Sequence, residues 1–446
     1  MYNLAVIGGG PAGYNAAATA AKAGLKVVLF EKKALGGTCL NVGCIPTKTL
    51  LYSAKLYHYA EMGAKYGIKT GEVAFEYDKI VARKNKVIRK LVAGIKAKMT
   101  GADVTVVTGE ANVTSRTDEK VTIACGEETY EAEKLLICTG SVVAIPPIAG
   151  LDTAEYWTST EALDSKELPE SITIIGGGVI GIEFAGLYAT LGVPVKVIEM
   201  MPEILPGIDT EISALLREEL KKKGVEFHLQ SKVLHVATGC VTYEDAEGEH
   251  KAESHRILLC IGRKPNLDGI RDMGLEPNRN GIRTDEHMRT SAKNVWAAGD
   301  VNATSLLAHT AEREAQVAIN DILGRPDTMH YNAIPGVIYT YPEVAGCGAT
   351  EAALQAAGTD YKVRKIMLTH SGRFVAENEG ANGLCKVITD ANDRVIGVHI
   401  IGNPSSEIIS TACVAIETGM TADQLGKVVF PHPTVAEIIK ECTFED

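Results

Sequence analysis

The sequence lacks the features of a protein that binds nucleic acid, is embedded in a membrane or is exported. Its 45 basic residues are outnumbered by 56 acidic ones, and the net charge of −11 argues against nucleic acid or an anionic membrane as a partner. The most apolar window, residues 135–151, is interrupted by Thr139, Gly140, Ser141 and two prolines, so it cannot span a bilayer. Strand-like residues begin directly after Met1, so we expect no leader peptide. We therefore expect a cytoplasmic protein.

Aromatic residues are also scarce, at 5% of the chain, whereas hydrophobic residues make up 46% and glycine contributes 44 of 446 residues. This composition favours a soluble α/β protein. The length exceeds what one core supports, so we expect two to four domains. Most of the ten cysteines stand alone in apolar strands, as Cys138 and Cys260 do, which is typical of reduced thiols inside a cell. Only Cys39 and Cys44 form a local pair.

The chain contains a divergent internal repeat. Residues 2–31 and 171–199 each read as a buried strand, a glycine turn, an alanine-rich helix and a second strand that ends in glutamate. A lone glycine motif is weak, but a strand, a helix and an acid about 20 residues later together predict a dinucleotide-binding unit. The alternative is a βαβ unit whose tight turns bind nothing.

The three glycines of each copy have separate expected roles. The first allows a tight turn, the second lets a pyrophosphate approach the backbone, and the third permits close packing of helix on strand. They are Gly8, Gly10 and Gly13 in the first copy and Gly176, Gly178 and Gly181 in the second. Glu31 and Glu199 would accept hydrogen bonds from ribose hydroxyls. Because Glu199 would repel a 2′-phosphate and no arginine follows within residues 200–202, the second copy favours NAD over NADP.

The remaining sequence predicts how the chain is divided. Residues 77–99 read as one long helix that Gly101 would end. We expect a discontinuous first domain over residues 1–145 and 266–333, a second domain over 146–265 and a third over 334–446. The third has strands and two helices but no glycine fingerprint. The predicted fold class is therefore α/β, with two Rossmann-like domains and an α+β C-terminal domain.

The local thiol pair stands in G-G-T-C-L-N-V-G-C-I-P-T-K, residues 36–48. A structural disulfide over so short a loop would stabilise the fold by only about 2 kcal/mol. A zinc site would need further ligands, and no second C-x-x-C or Cys/His pair supplies them. Residues five apart in a regular helix have Cα atoms about 8–9 Å apart, beyond the roughly 7 Å limit for a disulfide, so the turn around Gly43 must be distorted. We interpret Cys39 and Cys44 as a catalytic redox pair.

Two further motifs carry candidate site residues. In F-P-H-P-T-V-A-E, Pro433 suits the first position of a helix, which would leave the ring of His432 free to project. Glu437 could hold one ring nitrogen and raise the basicity of the other. A histidine before proline is usually a loop residue, but this pattern beside a thiol pair favours a catalytic base. Asp300 ends a short apolar strand and could bind a polyol such as a ribityl chain, although a plain turn is the commoner structure there.

Together these motifs resemble those of the pyridine-nucleotide disulfide oxidoreductases over essentially the whole chain. They occur in that family's order: G-G-G-P-A-G, the cysteine segment, G-G-G-V-I-G-I-E-F-A, C-I-G-R-K-P-N, the segment ending Gly299-Asp300, and H-P-T-V-A-E. The resemblance implies FAD in the first fold and NAD in the second. The implied FAD-binding residues are Gly8, Gly10, Gly13, Glu31, Lys48, Thr139, Gly140, Asp300 and Ala308. The implied NAD-binding residues are Gly176, Gly178, Gly181, Glu183, Glu199 and Gly262, and Lys48 is implied to pair with Glu183 beside the flavin. No metal is implied.

Within the family, the sequence is most similar to members that oxidise protein-bound dihydrolipoyl groups. Electrons would then pass from the dithiol through Cys39, the interchange thiol, and Cys44 to FAD and on to NAD⁺. The resemblance implies a homodimer in which His432 and Glu437 act on the thiols of the other subunit, with the third domain as the interface. We expect no lipoyl domain fused before Met1, and therefore expect the lipoyl group on a separate protein of a 2-oxoacid dehydrogenase or glycine cleavage complex.

Two alternatives stay open at this point. The first is an NAD(P)H-dependent reductase of another small disulfide, such as glutathione reductase. Such an enzyme would carry charged residues after the first glycine motif, where this chain has Tyr14, Asn15 and alanines. A mercuric reductase would end in adjacent cysteines, whereas this chain has only Cys442 there. The second alternative is a flavoprotein scaffold with idle thiols, against which the intact thiol pair and His432 argue.

Overall fold

The structure is a computed structural model that describes residues 1–445 and divides into two compact units. The first unit comprises residues 1–49, 81–145 and 262–330. The second comprises residues 50–80, 146–261 and the chain from residue 331 onward. Residues 50–80, which the sequence places in the first domain, thus belong to the second unit. Their side chains explain why, because Tyr59 packs edge-on against Tyr341 with ring centroids 5.5 Å apart.

The structure contains these elements in chain order. The strands are β1 (Tyr2–Ile7), β2 (Val27–Glu31), β3 (Thr105–Thr108), β4 (Ala111–Arg116), β5 (Val121–Cys125), β6 (Glu128–Ile137), β7 (Ser141–Val143), β8 (Ile172–Ile175), β9 (Val195–Ile198), β10 (Val225–His228), β11 (Lys232–Ala237), β12 (Cys240–Asp245), β13 (Gly248–Glu253), β14 (Arg256–Leu259), β15 (Arg263–Pro265), β16 (Pro277–Asn278), β17 (Gly281–Ile282), β18 (Val295–Ala297), β19 (Pro335–Ile338), β20 (Val344–Gly348), β21 (Lys362–Met367), β22 (Leu384–Thr389) and β23 (Val395–Ile401). The α-helices are α1 (Pro11–Lys22), α2 (Gly37–Val42), α3 (Cys44–Glu61), α4 (Tyr77–Gly101), α5 (Ser159–Asp164), α6 (Val179–Thr190), α7 (Thr210–Lys222), α8 (Ala308–Ile322), α9 (Glu351–Ala357), α10 (Gly372–Glu377), α11 (Ser405–Glu417), α12 (Ala422–Gly426) and α13 (Glu437–Glu441).

The first unit is built on a seven-stranded sheet in the order β3-β2-β1-β6-β5-β4, with β18 also paired to β6. Strands β3, β2, β1, β6 and β18 are parallel, whereas β4 and β5 are antiparallel additions. The centre of β1 is fully buried at Leu4, Ala5 and Val6, as its apolar run predicts. Pro11 begins α1 directly after the glycine turn, the position where its fixed φ suits a helix start.

The second unit contains three sheets. The parallel sheet β10-β9-β8-β14 contains the second copy of the repeat. Strands β11, β12 and β13, which lie between β10 and β14 in the chain, form an antiparallel meander. The C-terminal part is a five-stranded antiparallel sheet, β19-β20-β23-β22-β21, against which α11 packs. Each glycine turn lies within a βαβ unit of a parallel sheet, and the C-terminal region is an antiparallel sheet with helices. The predicted fold class is therefore confirmed.

The long helix α4 ends at Gly101, the residue predicted to end it. The left-handed residue that follows the helix is Asp103, with φ of +57°. Aspartate is among the few residues with a side chain that tolerate this conformation, because its carboxylate can bond to nearby backbone. Within residues 1–445, every helix is too short or too polar to cross a bilayer.

Candidate active site

The first and third glycines of each repeat copy are required by the protein itself. A Cβ on Gly8, where φ is +106°, would lie 2.1 Å from the carbonyl oxygen of Cys138, and one on Gly13 would lie 1.8 Å from the oxygen of Gly8. In the second copy, a Cβ on Gly176 would lie 2.4 Å from the oxygen of Cys260, and one on Gly181 would lie 2.1 Å from the oxygen of Gly176. The tight turn and the close packing predicted for these positions are both present.

The middle glycines are different, because the chain leaves space around them. Apart from adjacent backbone, the atom nearest to a Cβ on Gly10 would be the Cα of Gly37 at 3.8 Å, and a Cβ on Gly178 would meet no atom of residues 1–445 within 4 Å. Both residues precede a helix whose first turn receives no side-chain cap, so backbone N–H groups point into that space. Open space, a bare backbone and a helix N-terminus together fit a pyrophosphate, in the first copy and in the second.

The two glutamates occupy equivalent positions beside these turns. Glu31 accepts a hydrogen bond from the N–H of Gly9 at 2.8 Å, and Glu199 accepts one from the N–H of Gly177 at 2.6 Å. The other carboxylate oxygen of each is also held by a backbone N–H two residues later, that of Lys33 or Met201. Each oxygen keeps a second lone pair, so the carboxylates are oriented and can still accept from a ribose hydroxyl.

We predict that Gly178→Ala weakens NAD binding without destabilising the fold. The new Cβ enters open space, so the melting temperature should not change, but the methyl group occupies the position of the pyrophosphate. The KM for NAD⁺ should rise by about tenfold or more. The matched control is Gly181→Ala, whose Cβ meets backbone and should lower the stability by about 1–3 kcal/mol. An unchanged KM for NAD⁺ in Gly178→Ala would contradict the assignment of this turn.

Asp300 is held by a buried polar network within the first unit. Its Oδ2 accepts a hydrogen bond from the Ser141 hydroxyl at 2.5 Å, and burial raises the pKa of its carboxyl. Arg263 Nε donates to the same hydroxyl oxygen at 2.8 Å, and Nη2 donates to the backbone oxygen of Ser141 at 2.7 Å. The other Nη2 contact is the Thr38 hydroxyl, at 3.2 Å, one residue before Cys39. Arg263 therefore links the Asp300 turn to the thiol segment.

Sequence reasoning missed two residues of this network. Arg263 lies inside the C-I-G-R-K-P-N motif, but the sequence does not predict its contacts with Ser141 and Thr38, because these depend on folding. Glu314 on α8 gave no signal, because a glutamate on an amphipathic helix normally faces water. In the structure it is 0% exposed and accepts the N–H of Gly299 at 2.6 Å, which positions the turn before Asp300.

The remaining predicted residues lie at the following places. Thr139 and Gly140 precede β7, where the Thr139 hydroxyl donates to the oxygen of Asn266 at 2.6 Å and Gly140 has φ of +69°. Gly262, predicted for NAD, has φ of +105° and accepts the N–H of Ala144 at 3.0 Å within the first unit. Ala308 is the first residue of α8, whose cap position also lacks a side-chain bond. Glu183 on α6 accepts the N–H of Tyr339 at 3.0 Å, and its pairing with Lys48 stays a prediction.

Cys39 and Cys44 are brought together by a break between two helices. Cys39 lies in α2, which ends at Val42, and Cys44 is the first residue of α3. At the break, Gly43 adopts φ −144° and ψ −110°, and a Cβ there would lie 3.0 Å from the oxygen of Thr38. The distortion that the five-residue spacing requires is therefore present, and the two thiols hydrogen-bond to each other.

The thiol segment also contacts the first glycine turn directly. The N–H of Gly36 donates to the oxygen of Gly9 at 2.8 Å, and a Cβ on Gly37 would lie 2.6 Å from the Cα of Gly10. Both Gly36 and Gly37 have positive φ, which lets the backbone make this approach. Cys39 and Cys44 are thus attached to the same turn that fits the pyrophosphate of a dinucleotide.

The Cys39 thiol is not acidified by its own unit. Its hydrogen bond with Cys44 and its burial raise its pKa, and the charge of Lys48 opposes them only partly. Within the first unit these effects together favour the protonated thiol at Cys39. Proton transfer at Cys39 therefore needs a base from elsewhere.

His432 and Glu437 form the predicted pair. The Nδ1 atom of His432 lies 3.1 Å and 3.2 Å from the two carboxylate oxygens of Glu437, which leaves Nε2 as the free ring nitrogen. The N–H of Thr434 donates to Glu437 at 2.8 Å and is the main cause of its lowered pKa, with His432 contributing. The ring of His432 is exposed, with 83% of the side chain accessible.

The predicted helix start at Pro433 is wrong. The peptide between His432 and Pro433 is cis, and α13 begins only at Glu437. The residues between form a turn in which the Thr434 hydroxyl donates to the oxygen of Pro431 at 2.9 Å. This turn competes with a helical start, and it still presents the His432 ring outward.

Comparison with protein families gives two matches that together cover most of the chain. Residues 2–315 match the family described as pyridine nucleotide-disulphide oxidoreductase, and residues 334–443 match the dimerisation domain of the same family.

Individual relatives extend over the whole length. The chain is 36% identical to the dihydrolipoyl dehydrogenase of Mycoplasma pneumoniae over 449 residues, covering 99% of this chain and 97% of that protein. It is 38% identical to the dihydrolipoyl dehydrogenase of Thermus scotoductus over 462 residues, covering 99% and 96%. Among solved structures it is similar to LpdA of Mycobacterium tuberculosis, with a TM-score of 0.90, 26% identity and 99% of both chains covered. RclA of Escherichia coli, an HOCl-induced flavoprotein disulfide reductase, gives a TM-score of 0.86 at 26% identity, also over 99% of both chains.

Proposed function

Because this chain belongs to the pyridine nucleotide-disulphide oxidoreductase family, we propose that it oxidises dihydrolipoyl groups to lipoyl groups and reduces NAD⁺ to NADH. The observation that carries this proposal is the attachment of the Cys39–Cys44 pair to the first glycine turn. A structural disulfide does not need to contact a dinucleotide-binding turn, whereas a disulfide that exchanges electrons with a bound dinucleotide does.

The first unit has the features that FAD needs. Gly10 and the N-terminus of α1 would hold the pyrophosphate, Glu31 the ribose of the adenosine half and Asp300 the ribityl chain. When bound, FAD supplies the two-electron chemistry that links a sulfur pair to a nicotinamide. In the second unit, Gly178 and Glu199 would hold NAD in the equivalent way.

The protein residues would act in a fixed order. Nε2 of His432 takes the proton of one substrate thiol, and that thiolate attacks Sγ of Cys39, so that the bond to Cys44 breaks and Cys44 leaves as thiolate. The second substrate sulfur then displaces Cys39 and passes its proton to the departing Cys39 sulfur, which closes the lipoyl disulfide while His432 keeps the first proton. Cys39 recovers a proton, in agreement with its raised pKa, and the negative charge stays on Cys44.

The base comes from a second copy of the chain in this proposal. The dimerisation domain supports a homodimer, and the exposed ring of His432 is free to reach a partner. The substrate would be the lipoyl group of a separate protein in a 2-oxoacid dehydrogenase or glycine cleavage complex. A cytoplasmic location is also part of the proposal.

The function is tested by assaying the purified, flavin-loaded protein with two substrate pairs. Dihydrolipoamide with NAD⁺ should give rapid NADH formation, whereas glutathione disulfide with NADPH should give little oxidation. The opposite preference would establish the alternative disulfide reductase. Inactivity with both pairs, despite bound flavin, would support the scaffold alternative.

We predict that Glu199→Arg shifts the cofactor preference toward NADP. The substitution removes the carboxylate that repels a 2′-phosphate and adds a cation that can pair with it. The ratio of kcat/KM for NADP⁺ to that for NAD⁺ should rise by about tenfold or more. The matched control is Glu31→Arg in the first copy, which should weaken FAD retention and leave the NAD⁺/NADP⁺ ratio unchanged. An unaltered ratio in Glu199→Arg would refute the role of this residue.

A further inference from the structure

Folding brings together two pairs of cysteines outside the site described above. In the second unit the thiol of Cys347 interacts with that of Cys413, and the thiol of Cys385 with that of Cys442. The same direct contact joins Cys39 to Cys44. The two cysteines of each additional pair lie far apart in the sequence, so no local cysteine motif indicates that they are paired.

Cys347 and Cys413 lie on two elements that pack against each other. Cys347 is in β20 and Cys413 is in α11, and both belong to the apolar cluster between the C-terminal sheet and that helix. Gly346 and Gly348 flank Cys347 where neighbouring atoms leave no room for a side chain: a Cβ on Gly346 would lie 2.6 Å from Nδ1 of His399, and one on Gly348 would lie 2.2 Å from the oxygen of Ile396. The two thiols lie close enough for each to shift the pKa of the other, and the Cys413 thiol also donates to the backbone oxygen of Ile409 at 3.4 Å.

The two thiols have unequal character. Cys347 is buried, at 1% exposed, whereas Cys413 is half-buried at the edge of the cluster. The bond from Cys347 lowers the pKa of Cys413, and the same bond together with burial raises the pKa of Cys347. Cys413 is therefore the more accessible of the two thiols and the one that more readily loses its proton.

We propose that Cys347 and Cys413 form a reversible disulfide when a two-electron oxidant such as hydrogen peroxide reaches the C-terminal domain. The Cys413 thiolate attacks one peroxide oxygen, the O–O bond breaks, and the products are a sulfenic acid and hydroxide, which takes up the proton that Cys413 had released. The sulfur of Cys347 then attacks the sulfenic sulfur, the S–S bond forms, the S–O bond breaks, and water leaves with the Cys347 proton. Two thiols and one peroxide thus give one disulfide and two waters.

The pair Cys385–Cys442 provides an internal control. Both residues are 0% exposed, and the Cys442 thiol donates to the backbone oxygens of Arg364, at 3.3 Å, and Cys385, at 3.6 Å. Neither thiol of this pair is accessible to solvent, whereas Cys413 is half-buried. We expect this pair to stay reduced under conditions that oxidise Cys347 and Cys413.

The test uses the intact, flavin-loaded protein. The protein is reduced, treated with hydrogen peroxide and alkylated, and its tryptic peptides are examined by mass spectrometry. The four C-terminal cysteines of interest fall in four different tryptic peptides, so each linkage has its own mass. A linked Cys347–Cys413 peptide should account for most of Cys347, and it should disappear after dithiothreitol. It should also be absent from Cys413→Ser, which should retain the wild-type activity with dihydrolipoamide.

Recovery of both residues as separate alkylated peptides after treatment with hydrogen peroxide would overturn the proposal. Oxidation of Cys413 to sulfinic acid without any linked peptide would overturn it as well. Equal linkage of Cys385 to Cys442 would show that access does not select the pair, and would also contradict it. None of these outcomes depends on the reaction proposed for the Cys39–Cys44 site.

Discussion

Cys44→Ser is expected to abolish the oxidation of dihydrolipoamide by NAD⁺, because serine cannot form the disulfide that the substrate thiolate attacks. The loss in kcat should be about 10⁴-fold or greater. Electron transfer from NADH to a quinone or to ferricyanide should persist, since that path uses the FAD and NAD sites and not the thiols. Measuring both activities on the same preparation separates loss of the thiol pair from loss of flavin.

The control for this experiment is Cys240→Ser. Cys240 is a partly exposed cysteine on β12 of the second unit, where no thiol lies beside it in sequence. Both activities of Cys240→Ser should match those of the wild type. Substantial turnover of dihydrolipoamide by Cys44→Ser would exclude a Cys39–Cys44 disulfide from the reaction, even if the flavin stays bound.

The glycine turns could be predicted from the sequence because their information is local. The order of strand, turn, helix and acid lies within 30 residues, and the structure shows that backbone atoms of the same turn forbid a side chain at Gly13 and Gly181. The distortion between Cys39 and Cys44 follows from helix geometry alone. The link between His432 and Glu437 likewise spans only five residues.

What could not be predicted depends on contacts between distant segments. The burial of Glu314 under the Asp300 turn and the bridge from Arg263 to Thr38 join segments separated by many residues, and no local pattern signals them. The helix start at Pro433 was predicted from a general preference, which a competing turn overrides. The contact of Cys347 with Cys413 exists only because α11 packs on β20. Local sequence patterns therefore predict the elements and turns. The residues from distant segments that support the site can be identified only in the folded structure.

His432→Gln should retain the fold and lose the base. The ring is exposed, so truncating it leaves no buried cavity, and the melting temperature should not change. The kcat for dihydrolipoamide should fall by about 10²–10⁴-fold, the range that a positioned base contributes. The transfer of electrons from NADH to ferricyanide should be unaffected. His370→Gln, an exposed histidine of the same unit, is the control and should behave as wild type.

Hybrid dimers test whether His432 acts on the partner subunit. Cys44→Ser and His432→Gln chains are each inactive as homodimers, but a hybrid of the two has one complete site if the base acts across the interface. Random mixing after denaturation and refolding with FAD should restore about a quarter of the wild-type activity, because half of the dimers are hybrids and each has one of two sites. If His432 served the thiols of its own chain, both sites of the hybrid would be defective and no activity would return. The wild-type protein carried through the same refolding sets the scale, so a failure to refold cannot be mistaken for a base that acts within one subunit.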